Sequence, residues 1–147
     1  MADQHAPPLP DRSRRTEAMI QRMLAGKRIA VVGLSDDPSR PSYGVAAYLL
    51  WAGKEVLPVN PNCRTVLDVR CYSCLAEISG PIDVVDVFRR PEYCPRIVRE
   101  AVAVAAKGVW LQSGVISPEA EAIAADAGID FIQDRCMKVE LAFRSES

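Results

Sequence analysis

Apolar and polar positions along the chain follow a repeating rhythm. A stretch with helical spacing gives way almost at once to a short, nearly continuous apolar run. Gly26 precedes Arg28-Ile29-Ala30-Val31-Val32, and Gly53 precedes Glu55-Val56-Leu57-Pro58-Val59. Gly108 precedes Val109-Trp110-Leu111-Gln112, and Gly128 precedes Ile129-Asp130-Phe131-Ile132. Glycine at these points suits the left-handed position that ends a helix. A fifth run, Ile82 to Phe88, follows Gly80-Pro81. Strands this apolar belong to parallel sheets covered on both faces.

Helices are predicted between the strands. Met19, Ile20, Met23 and Leu24 share one face of a first helix, and a second runs from Tyr43 to Ala52. Pro95 to Lys107 places Ile97, Val98, Ala101, Val102 and Ala105 at helical spacing. Ser117 to Ala127 opens with Ser as cap and Pro118 at the first helical position. Residues 62 to 78 are the least regular, with a short edge strand near Val69 to Tyr72 and one helical turn. Strands alternating with helices predict an α/β fold. Right-handed crossovers make it a Rossmann-like, doubly wound parallel sheet of about five strands in a three-layer α/β/α sandwich. The polar start, with Pro7, Pro8 and Pro10, reads as a flexible tail over residues 1–13. Residues 14–147 then form a single domain.

Composition narrows the picture. A chain of 147 residues, 49% apolar and 25% charged, fits one globular domain. With 18 Lys and Arg against 19 Asp and Glu, there is no global basic field to hold nucleic acid. No apolar run approaches the roughly 20 residues of a membrane helix, and the first residues lack a signal-peptide core. The expectation is a cytoplasmic protein with no nucleic-acid or membrane partner; a homodimer is left open. Five cysteines, an odd number, fit reduced thiols. Cys71 and Cys74 have C-x2-C spacing but no second close pair, so they read as ordinary cysteines rather than zinc ligands.

In such a sheet ligands bind beyond the carboxyl ends of the strands. Those ends lead into Gly33 to Gly44, Asn60-Pro61-Asn62, Arg89-Arg90-Pro91-Glu92, Gln112-Ser113-Gly114 and Asp134-Arg135-Cys136. A strand, a glycine, a turn and a helix start form an anion cradle. Gly33 permits close backbone approach, Ser35 can donate to a phosphate, and Arg40 adds charge. The competing reading is a surface turn ending in a Ser42 helix cap. Neither the G-x-G-x-x-G fingerprint nor a Walker A signature is present. No carboxylate follows the second strand, which argues against an ordinary NAD site; Arg64 could serve an NADP-type one. Asn60-Pro61-Asn62 by itself reads as a turn. Arg89 and Arg90 suit phosphate, as guanidinium groups do. Asp83, away from this rim, reads as structural. His5 is the sole histidine and lies in the tail, so a serine or cysteine nucleophile lacks its usual base. Cys136 is a candidate reactive thiol, although an inert cysteine is the commoner case.

Taken together, these segments resemble the small stand-alone CoA-binding domain proteins, which are similar to the N-terminal domain of the succinyl-CoA synthetase α subunit. The resemblance rests on Val31-Val32-Gly33-Leu34-Ser35 with Pro38 to Gly44, on Pro58-Val59-Asn60-Pro61, and on Asp83 to Pro91. It continues through Val109-Trp110-Leu111-Gln112 and Asp134-Arg135-Cys136, and spans roughly residues 16 to 143. It implies coenzyme A, or an acyl-CoA, bound at the strand ends as a small-molecule ligand. Gly33, Leu34, Ser35, Arg40, Ser42 and Tyr43 of the first loop, with the Asn60-Pro61 turn, would embrace the nucleotide and its phosphates; Arg64 is a further cofactor-binding candidate, read from the residues alone. Phe88, Arg89, Arg90, Gln112 and Gly114 would line the other side. A pantetheine thiol facing Cys136 could form a mixed disulfide from oxidised CoA. The family usually carries Gly where this chain has Asp68, and a carboxylate facing an anion site would weaken it. The synthetase's phosphohistidine lies in a further domain, so thioester formation by this chain alone is not expected. The reading is therefore a non-catalytic CoA-binding module. An NADP-type reductase or sensor, and an interaction protein with a vestigial site, are the alternatives.

Overall fold

The computed structural model describes residues 12–145. In chain order its elements are α1 (Arg12–Ala25), β1 (Arg28–Val32), α2 (Pro41–Trp51), β2 (Glu55–Val59), β3 (Thr65–Val66) and β4 (Val69–Arg70). There follow β5 (Val84–Val87), α3 (Cys94–Ala103), β6 (Gly108–Leu111), α4 (Pro118–Ala127), β7 (Asp130–Ile132) and α5 (Met137–Ser145). Five strands form one parallel sheet in the order β2-β1-β5-β6-β7. The chain winds one way from β1 to β2 and the other way from β5 to β7. The switch point thus lies between β1 and β5.

Side chains alternate across the sheet, as the two-residue period of a strand requires. Ala30, Val32, Val85, Val87, Val109 and Leu111 pack under α3 and α4. Ile29, Val31, Val84 and Trp110 pack under Ile20 and Met23 of α1, Val45 and Leu49 of α2, and Met137 of α5. The result is the three-layer, doubly wound Rossmann-like sandwich. Pro58 sits in β2, at the edge of the sheet, where a missing N–H is tolerated. Tyr72 covers that edge, donating its N–H to the Pro58 carbonyl at 2.8 Å.

Several local expectations are corrected. Gly26 and Gly108 are not left-handed helix ends, unlike Gly53 and Gly128. They are small because a Cβ at Gly26 would lie 2.7 Å from Asp83 Cβ, and one at Gly108 would lie 3.0 Å from Met23 Cε. The third helix is shorter than predicted and ends at Ala103. Ala105 takes the left-handed conformation after it, and the Ala106 N–H returns to the Ala101 carbonyl. The predicted edge strand is β4 followed by a bridge at Tyr72, and the helical turn is a 3-10 turn at Leu75–Glu77. Helix α5 has no counterpart in the sequence prediction. Arg12 and Ser13, read as tail, open α1; residues 1–11 lie outside the described residues.

Candidate functional site

The rim above the switch point holds a cleft of about 1030 Å³. Its floor and near wall come from the β1–α2 loop. Gly33 has φ +85, a region other residues enter only under strain, and a Cβ there would lie 2.5 Å from the Phe88 carbonyl oxygen. The β1 and β5 loops can therefore touch only through a glycine. Beyond it the loop is tied by its own short polar side chains. Ser42 Oγ accepts the Ser35 N–H at 3.0 Å, and Ser35 Oγ accepts the Asp37 N–H at 3.0 Å. Asp37 Oδ1 accepts the Ser39 N–H and hydroxyl at 2.9 and 2.8 Å. These bonds, the Ser39 N–H first, hold the Asp37 carboxyl below its usual range. The helix cap is Arg40 rather than Ser42, with Pro41 next; no side chain caps the helix start. Pro41 and Ser42 line the cleft, so the open, electropositive end of α2 faces it.

The opposite wall comes from the segments after β5 and β6. The Arg89 guanidinium lies 4.4 Å from the centroid of the Tyr93 ring, which fixes the charge over an aromatic face. Gln112 is buried and uses its Oε1 to accept the Met137 N–H at 3.2 Å, so it anchors the start of α5. Asp134 Oδ1 accepts the Gly114 N–H at 2.7 Å, and the Trp110 indole donates to the Arg135 carbonyl at 2.9 Å. These bonds hold the loop that brings the free, half-buried Cys136 to the cleft wall.

Of the residues expected at the site, Gly33, Ser35, Arg40, Ser42, Phe88, Arg89, Arg90 and Gln112 line this cleft. The other six do not. Leu34 is fully buried in the core. Tyr43 packs against that core, and Gly114 forms the turn held by Asp134. Asn60 is a strut: its Nδ2 donates to the Leu34 carbonyl at 2.9 Å and its Oδ1 accepts the Asn62 N–H. Pro61 lines a smaller recess of about 270 Å³ that shares Arg89 and Tyr93 with the cleft. Arg64 is exposed at the base of the β3–β4 hairpin, outside the cleft lining. Asp68 is also outside the cleft lining; it and Leu67 form the tip of that hairpin, both at positive φ. The sequence reading missed Tyr93, Val45 and Val115; Tyr93 follows Arg89 by four residues, the spacing of one helical turn. Among the described residues, no carboxylate lines the cleft.

The CoA binding domain family matches residues 27–142. The chain belongs to this family. The uncharacterized protein YneT of Bacillus subtilis (strain 168) is 43% identical over 125 residues, covering 84% of this chain and 93% of that protein. The structure of a hypothetical protein from Pyrococcus horikoshii OT3 is similar with a TM-score of 0.82 at 36% identity, over 87% of this chain and 90% of that one. Acetate–CoA ligase [ADP-forming] II of Archaeoglobus fulgidus is 27% identical over 97 residues, 65% of this chain but 14% of that ligase. CoA-binding membership thus agrees with the resemblance drawn from the rim motifs. No helix among the described residues is long and apolar enough to cross a membrane.

Proposed function

We propose that the cleft binds coenzyme A or an acyl-CoA and that the chain acts as a binding module without catalysis of its own. The observation that carries this reading is the donor set. Arg40, Arg89 and Arg90 line the same cleft as Pro41 and Ser42 at the N-terminus of α2, and among the described residues no carboxylate joins them, in a chain whose net charge is -1. That arrangement fits a pyrophosphate and a further phosphate. Val45, Phe88, Tyr93 and Val115 add the apolar wall that a pantetheine arm needs. The volume is at the top of the usual range of roughly 300–1,000 Å³, as a ligand longer than a mononucleotide requires. Among the described residues the lining holds neither histidine nor carboxylate to act as general base, which supports the reading without catalysis. The NADP alternative rested on Arg64 and on the fold; the fold is present, but Arg64 lies outside this lining.

Calorimetric titration of Arg89→Ala and Arg40→Ala with CoA tests the reading. Each should weaken CoA binding about 10-fold or more, the scale of one lost charge-assisted phosphate contact. Unchanged affinity in both variants would move the ligand away from this cleft.

A further inference from the structure

Helix α2 carries no charged residue over its 11 positions. A helix packed on one side only normally turns polar residues to water on the other. Here Ser42, Val45, Ala46 and Leu49 face the core, while Trp51 is 80% exposed and rests on Tyr48 with ring centroids 5.5 Å apart. Gly44 lies on the same side at helical spacing, and a Cβ built there meets nothing within 4 Å. A glycine weakens a helix, and no packing among the described residues calls for one at this position. Gly44, Ala47, Tyr48 and Trp51 therefore form a stripe with a shallow end and a protruding end. Helix α5 flanks this stripe, with Lys138 5.8 Å from the Tyr48 ring, and leaves Val139 and Phe143 60% and 74% exposed.

We propose that this face joins two copies of the chain into a homodimer, with α2 packed antiparallel on its counterpart about a two-fold axis near Ala47 and Tyr48. Each Trp51 then covers Gly44 of the other copy. A two-fold interface requires such self-complementarity, since the same two positions must meet twice. The size is adequate. Trp51 and Phe143 leave roughly 300 Å² of aromatic surface per copy, and Val139 and Tyr48 bring the exposed apolar surface of α2 and α5 to about 450 Å². That is more than half of the ~800 Å² each partner gives to a standard interface, the rest being polar rim. With a net charge of -1, two copies repel only weakly. The inference is independent of the CoA reading, because neither Gly44 nor Trp51 lines the cleft.

Sedimentation of the full chain over a micromolar concentration series tests it. The wild type should reach twice its 16.1 kDa mass. Trp51→Glu should raise the dissociation constant at least ~30-fold, a hot-spot loss, and Phe143→Glu should raise it less. Gly44→Gln should also weaken the dimer, yet raise the melting temperature of the dilute monomer, because a helix former replaces glycine. A wild type that stays monomeric overturns the proposal, including the case where residues 1–11 cover the patch instead. A dimer indifferent to both glutamate substitutions places the interface elsewhere, and a dimer indifferent to Gly44→Gln refutes the antiparallel register.

Discussion

Replacing Asp86 by Asn exchanges one atom at the centre of the sheet and deletes a titratable group. Asp86 stands in β5 between Val31 of β1 and Trp110 of β6, with 0% of its surface exposed. Among the described residues, neither carboxylate oxygen has a hydrogen-bond partner. Burial alone pushes its pKa well above the ordinary carboxyl value. The native state therefore keeps a proton that the unfolded chain releases above about pH 3.9. Between that pH and the raised native pKa the folded state binds more protons than the unfolded state. Asp86 thus lowers stability by about 1.4 kcal/mol for each pH unit of rise in that window. Asp83 acts oppositely, because the N–H groups of Arg28 and Lys27 hold its pKa down; its contribution is lost as the pH falls. The comparison of variant with wild type isolates Asp86 from such groups. Urea unfolding at roughly pH 4.5 to 7.5 should show Asp86→Asn gaining on the wild type by about 1.4 kcal/mol per pH unit until the native pKa is reached. Asp86→Val removes both unpaired oxygens and should add a pH-independent gain of about 1–3 kcal/mol. Parallel stability curves for wild type and Asp86→Asn would show that the carboxyl is ionised in the fold, and the reasoning would fail.

Three further outcomes are expected. Asp68→Gly should stabilise the chain by about 0.5–1 kcal/mol in thermal melts, because φ +61 in a two-residue hairpin turn favours glycine; CoA affinity should not change. Gly33→Ala should cost more than about 2 kcal/mol in chemical unfolding, since left-handed strain adds to a 2.5 Å clash with the Phe88 carbonyl oxygen. Ser42→Ala frees the buttressed Ser35 N–H and should cost about 1 kcal/mol while weakening CoA binding, read by unfolding and calorimetry together.

The sheet was legible because parallel strands are apolar on both faces, so β1, β2, β5, β6 and β7 stand out as runs. Helix α5 was not, because Val139 and Phe143 turn outward while Met137 and Leu141 turn in, and apolar residues on two faces blur the helical period. The glycine rhythm marked the right places for mixed reasons: Gly53 and Gly128 end helices, whereas Gly26 and Gly108 make room for neighbours. The rim followed from topology, and eight of the expected residues converge there. Sequence adjacency could not tell inward from outward. Leu34 points into the core beside Gly33, and Arg64, just after the Asn60-Pro61-Asn62 turn, lies outside the cleft lining. Tyr93 and Val45 were missed because they belong to the helical segments flanking the rim loops rather than to the loops themselves.

Calorimetric titration of the purified, ligand-stripped chain with CoA, dephospho-CoA, NAD and NADP tests the central claim most directly. CoA should bind with micromolar affinity, dephospho-CoA more weakly, and the two nicotinamide dinucleotides little or not at all. Binding of NADP with no response to CoA, or silence with all four ligands, would contradict it.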